Sequence, residues 1–157
     1  MSIRLNFQSS EVATKAYKGF LAVTRAVASS PLPESTAHLV EIRASQINGC
    51  AFCIDMHTKD AVHAGETHQR LHLVAGWREA TVFTEAERAA LELAEQGTRI
   101  ADAAGGVPDE VWENAAKHYD DEQLAALVSL IAVINSWNRL NVILQNPAGD
   151  YVPGQHG

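Results

Sequence analysis

"SQINGCAFCIDMHTKDA", Ser45 to Ala61, holds both cysteines of the chain, three residues apart, with a histidine four residues beyond the second. Asn48-Gly49 reads as a helix stop, because both residue types tolerate left-handed backbone. A new helix then restarts at Cys50 or Ala51 and runs to about Ala64, where Gly65 ends it. At ~100° per residue, Cys50, Cys53 and His57 fall within roughly 60° of one another and form one stripe. A helix start offers free amide hydrogens and the positive end of the macrodipole, and both favour a thiolate. Helix electrostatics alone therefore favours Cys50 as the thiol of lower pKa. Two sulfurs one turn apart can close into a disulfide, and His57, one turn below Cys53, is placed to move a proton.

The helical period continues on both sides of this segment. Val12, Tyr17, Phe20, Leu21, Val23 and Val27 mark a helix over 9–29, which "SSPLPES" breaks because Pro31 and Pro33 cannot continue it. Ser35 or Thr36 is the candidate cap for the next helix, 34–48, with Leu39, Val40, Ile42 and Ile47 on a broad apolar face. "HQRLHLVAGW" gives a shorter segment, Thr84 with Glu87 forms a capping box, and Pro108-Asp109 opens another helix. "DDEQLAALVSLIAVINSWNRLNVILQ" is the last and most apolar helix, stopped by Asn146-Pro147. Strand signals are nearly absent. The expectation is one all-α domain of six or seven helices over 1–157, with its core at about 15–145 and an extended or mobile tail at 146–157.

A chain of 157 residues, 46% hydrophobic, is long enough to bury a sizeable core. Its net charge of −7, with no basic cluster, argues against a nucleic-acid partner. No signal-peptide core is visible near the start, and the longest apolar stretch, Leu124 to Ile134, falls short of the ~20 residues of a membrane span. The expected location is the cytoplasm, with no membrane partner. In that compartment a Cys-x-x-Cys points to redox or metal chemistry rather than to a structural staple. A zinc site needs about four ligands. His68 and His72 have i, i+4 spacing, but no second cysteine pair accompanies them. Two inert core cysteines are the other plain alternative. A redox-active pair, with no metal and no bound organic cofactor, fits the pattern better than either.

"LVEIRASQINGCAFCIDMHTKDA" (Leu39 to Ala61) closely resembles the core motif of the carboxymuconolactone decarboxylase / alkylhydroperoxidase AhpD-like family, and "AVINSWNRLNV" (Ala132 to Val142) resembles the C-terminal helix of its single-domain members. The resemblance implies a helical, oligomeric thiol peroxidase, trimeric or built from trimers. It implies that Cys53 attacks a hydroperoxide, that Cys50 resolves the sulfenic acid as a disulfide, that His57 belongs to a proton relay, and that a thiol or dithiol reductant reopens the disulfide. The family's relay glutamate usually lies twelve residues before the first cysteine, where this chain has His38. Glu41, one turn on, and His38 itself are the candidates for that role. Two other outcomes are a decarboxylase acting on a lactone acid, which would not need the cysteines, and a redox-sensing oligomer.

Several other residues carry expectations. Ser45 and Asn48 read as helix-end residues, and Gln46 as a hydrogen-bonding neighbour of the site. Asp55, Lys59, Asp60 and His63 read as surface, and so does the Glu87, Arg88 and Glu92 pattern. Trp77 and Trp112 read as core or interface anchors. Asn135, Asn138 and Asn141 read as an inter-helix or inter-subunit network, with Trp137 or Asn138 as a sharper possibility for the wall of a substrate pocket. Arg139 needs a partner if it is buried.

Overall fold

A computed structural model describes residues 3–154. Seven α-helices and no strand occur among them: α1 Glu11–Ala28, α2 Glu34–Asn48, α3 Ala51–His63, α4 His68–Leu73, α5 Glu85–Thr98, α6 Asp109–Ala116 and α7 Asp121–Leu144. A 3-10 turn precedes α1 and another, Val74–Gly76, extends α4. The part of the expected tail at 155–157 lies outside the described residues.

Local signals set most boundaries. Ser10 caps α1 by accepting from the Ala13 amide. Thr84 and Glu87 form the expected capping box, and Asp120 with Gln123 forms a second one at the start of α7. Gly49, at φ 65°, ends α2 in the left-handed conformation. The expected Ser35 or Thr36 cap does not occur. Helix α2 begins at Glu34 behind Pro33, with no side-chain cap, and Thr36 is buried within it. Proline's fixed φ already suits the helix entry, so the helix starts at the expected position 34 without a side-chain cap.

Helix α2 is the partition of the fold, packed between α3, α5 and α7. Val40 joins a cluster with Leu93, Val111, Leu127 and Leu130, between α5, α6 and α7. Leu39 and Ile42 point into a second cluster with Ala61, Leu71, Trp77 and Leu91, beneath α3 and α4. Fully burying each such aliphatic side chain contributes roughly 1.5–3 kcal/mol. By length and composition alone α7 is apolar enough to cross a membrane. In this chain it lies along α1 and α2 as a core helix, with Leu127, Leu130 and Ile134 fully buried.

The polar pattern of α5 departs from expectation. Glu87 is buried and receives Arg70, while Glu95 receives Arg43 Nε at 2.7 Å, Trp77 Nε1 at 2.9 Å and Arg78 at 3.0 Å. Half-buried Arg88 donates to the carbonyls of Trp77, Arg78 and Ala80, and Glu92 pairs with Arg78. The segment after α4 folds over α5, so charges that read as solvated are enclosed and paired. Trp77 is a core residue, whereas Trp112 stays at the surface of the chain at 43% exposure. Arg139 is exposed and donates to the backbone and side-chain oxygens of Asn135.

Candidate active site

Three elements meet at the cysteines: the second half of α2, the start of α3 and the last third of α7. Cys50 is the N-cap of α3, and its sulfur accepts the Cys53 amide at 3.4 Å. It takes the place a serine or aspartate usually fills. Both cysteines are free thiols and fully buried. The Cys53 thiol, hydrogen-bonded to the Cys50 sulfur, does most to draw the Cys50 thiol down from 9.0 to about 7. Burial opposes this, while the Cys53 amide, the His57 charge and the Asn138 amide assist. Cys53 is pushed up, first as donor in that shared bond, then by burial and by the charge on Cys50. The pair therefore holds one negative charge before it holds two, and that charge rests first on Cys50.

Behind the thiols stands an acid/base pair. Nδ1 of buried His57 lies 3.1 Å from a Glu41 carboxylate oxygen. Burial works to raise the Glu41 pKa, but the His57 charge and contacts with both histidines outweigh it and bring the carboxyl down to about 2. His38 sits farther off, 3.6 Å from Glu41 and 3.7 Å from Glu34. Those separations exceed a hydrogen bond, so the coupling to His38 is electrostatic. Burial lowers the His38 pKa, but Glu41, Glu34 and Asp60 together raise it. Nε2 of His57 and both ring nitrogens of His38 are buried and have no hydrogen-bond partner among the described residues. Of the two candidates for the relay carboxylate position, Glu41 makes the direct contact.

A chain of amides forms the opposite wall. Asn48 Nδ2 donates to Asn135 Oδ1 at 2.9 Å and to Asn138 Oδ1 at 2.8 Å, and Asn138 Nδ2 donates to the buried Ser45 hydroxyl at 3.0 Å. Asn141 Nδ2 donates to Cys53 Sγ at 3.5 Å. The inter-helix reading of these asparagines holds within a single chain. Ser45 and Asn48 are members of the network rather than simple helix-end residues. Trp137 does not line the thiols: its indole donates to Thr24 on α1 and its ring meets Tyr17 and Phe20 edge-on. Gln46 accepts from Arg43 instead of reaching the site.

The described tail lies on α3. Asp55 accepts the Gly149 amide at 3.1 Å, Lys59 donates to the carbonyls of Gly149 and Tyr151, and the Tyr151 hydroxyl donates to Asp60 at 2.8 Å. Asp55, Lys59 and Asp60 thus anchor the tail instead of facing only water, while His63 is exposed as expected. Among the described residues no group of three or more His, Cys, Asp or Glu is arranged to hold a metal ion. His68 and His72 are exposed on α4, with ring centroids 6.3 Å apart.

With this geometry in view, the carboxymuconolactone decarboxylase family model matches residues 14–96. The chain belongs to the carboxymuconolactone decarboxylase family. It is 42% identical to the uncharacterized protein YdfG of Bacillus subtilis (strain 168) over 148 residues, covering 94% of this chain and 98% of that protein. A crystal structure from Agrobacterium tumefaciens, of a protein of unknown function described as a candidate antioxidant defence protein AhpD, superposes with a TM-score of 0.87. That protein is 38% identical, and the match covers 96% of this chain and all of the other. The debrominase Bmp8 shares the fold at a TM-score of 0.75 and 19% identity, over 84% of this chain and 70% of its own. The all-helical architecture is therefore shared by proteins described by quite different activities.

Proposed function

We propose that the chain is a dithiol hydroperoxidase of the AhpD type. The observation that carries this reading is the placement of two thiols at the start of α3, one of them drawn down to about 7, backed by a hydrogen-bonded His57–Glu41 pair. In the resting pair the Cys50 thiolate accepts the Cys53 proton, which leaves a Cys53 thiolate to attack the terminal oxygen of a hydroperoxide. The O–O bond breaks, Cys53 becomes a sulfenic acid, and the alkoxide takes a proton from His57, which Glu41 holds in place. The Cys50 thiol then condenses with the sulfenic acid, releasing water and forming the disulfide. A dithiol or thiol reductant reopens it by exchange and is itself oxidised. The intact cysteine pair favours this over a lactone decarboxylase. Since both sulfurs are buried, the start of α3 must open locally to admit peroxide and reductant.

The depressed Cys50 thiol favours a second assignment of the same chemistry, in which Cys50 attacks and Cys53 resolves. The reading also includes a homo-oligomer, a trimer or a multiple of trimers, located in the cytoplasm. Apolar side chains left open on α1 and α7 (Val12, Val23, Val128, Val142 and Ile143) support association.

The test mixes reduced protein with tert-butyl hydroperoxide or hydrogen peroxide and follows free thiols and intact mass. Loss of both thiols and about two mass units supports the peroxidase. In Cys50→Ser a trapped sulfenic acid on Cys53 supports the first assignment. Its appearance only on Cys50 in Cys53→Ser supports the second. Thiols that persist under excess peroxide overturn both. Disulfide formation that is slow and shifts particle size in light scattering would instead mark a redox sensor.

A further inference from the structure

We propose that Asn141, aimed by Asn146, is the hydrogen-bond donor that supports the Cys53 thiolate, so that the segment after α7 is part of the reacting centre. This rests on the dithiol reading above. The amide of Asn141 has three neighbours that leave it one orientation. The Trp137 carbonyl, 2.9 Å away, only accepts, so the nitrogen must face it. The same nitrogen reaches Cys53 Sγ at 3.5 Å. The oxygen on the other side accepts Asn146 Nδ2 at 2.7 Å. A flipped amide would set oxygen against the Trp137 carbonyl, losing that bond, and would require the Asn146 amide to turn as well. The donor therefore stays aimed at the sulfur.

Asn146 is fixed in turn. Gln145 takes the left-handed conformation, at φ 57°, and turns the chain back so that the Asn146 amide donates to the Asn141 carbonyl at 3.1 Å. Three residues on, Gly149 is tied to Asp55 and Lys59 on α3, the helix that carries the thiols. A donor to a sulfur favours the charged form, and in a buried site it is not replaced by water when lost. Asn141 touches the reacting atom, whereas Asn146 acts through Asn141 and is a positioning residue.

The test is a thiolate titration by ultraviolet absorbance in full-length Cys50→Ser protein, where Cys53 is the remaining thiol and serine preserves the helix cap. We expect Asn141→Ala to move the Cys53 midpoint upward by about one pH unit, roughly a tenfold loss of thiolate at fixed pH. Asn146→Ala shifts it in the same direction by less. Circular dichroism and thermal melting confirm that each variant is folded. Midpoints that coincide with the parent in folded variants overturn the proposal. Should Asn141→Ala fail to fold, Asn146→Ala decides by the same criterion. Peroxide reactivity is scored separately. A protein inert to peroxide with an Asn141-dependent midpoint refutes the peroxidase but not this inference. An active one with an unmoved midpoint does the reverse.

Discussion

Glu41 stands 3.1 Å from His57 although the two belong to different helices and are separated by the whole cysteine turn. The contact fixes one face of the imidazole and leaves Nε2 unpartnered inside the protein, where a substrate oxygen or a water can use it. Glu41→Gln keeps the shape and removes the carboxylate charge beside the imidazole. Peroxide consumption should fall on the order of a hundredfold, while His38→Asn, at its longer separation, should cost less than about tenfold. Equal losses in the two variants would show that His38 shares the relay. The carboxyl also carries an acid-stability signature. Its folded pKa of about 2 lies below the ordinary 4.5, so its contribution is present above 4.5 and is lost as pH falls through 2. Denaturant melts of wild type and Glu41→Gln should converge across that window, by on the order of 3 kcal/mol at ~1.4 kcal/mol per pH unit.

The Cys50 thiol has the same sign at a different pH. Its folded pKa of about 7 lies below the ordinary 9.0, so ionisation favours the folded state. The contribution is complete above 9 and disappears as pH falls through 7. If the proposed dithiol reaction with peroxide runs through the monoanionic pair, its rate should rise through a midpoint near 7 rather than near 9. Thiolate absorbance of the reduced wild type should show its first step at the same pH. A single step near 9 would remove the electrostatic basis for activation at the helix start.

Glu95 gathers Arg43, Arg78 and the Trp77 indole around one buried carboxylate. Removing the acceptor leaves a mostly buried guanidinium and a buried indole N–H without it. Glu95→Ala should therefore destabilise the fold by roughly 3 kcal/mol in urea unfolding. A loss under about 1 kcal/mol would mean that the cluster is as weak as an exposed ion pair.

The parts of this molecule that were legible in the sequence are those fixed locally. The Asn48-Gly49 stop, the restart at Cys50 and the Cys50, Cys53, His57 stripe depend on residues within a few turns of one another, and the helix spacing settles them. What pairs across the chain was not legible. Glu87 and Arg88 matched an amphipathic surface pattern because nothing in α5 announces that the segment after α4 will cover it. Asp55 and Lys59 looked solvated because their partner, Gly149, is about ninety residues away. Three asparagines on an apolar helix did signal a network, since buried amides require partners. Their spacing did not say that the last of them would reach a sulfur.

The tail gives the most direct test of such distant pairing. Lys59 joins Asp55 to the carbonyls of Gly149 and Tyr151, while Asp55 accepts the Gly149 amide. Lys59→Met retains the aliphatic stem and removes all of the ammonium's bonds. The global stability change should be small, within about 1 kcal/mol, because the ion pair is partly exposed. The local change should be larger. Exchange of the Gly149 amide should speed by roughly tenfold or more, since its acceptor is no longer held. Tyr151→Phe removes the hydroxyl that donates to Asp60 but leaves Lys59 in place, and should leave that amide closer to wild type. Gly149 exchange unchanged in Lys59→Met would mean that the strap is held from elsewhere, and that the lysine only decorates it.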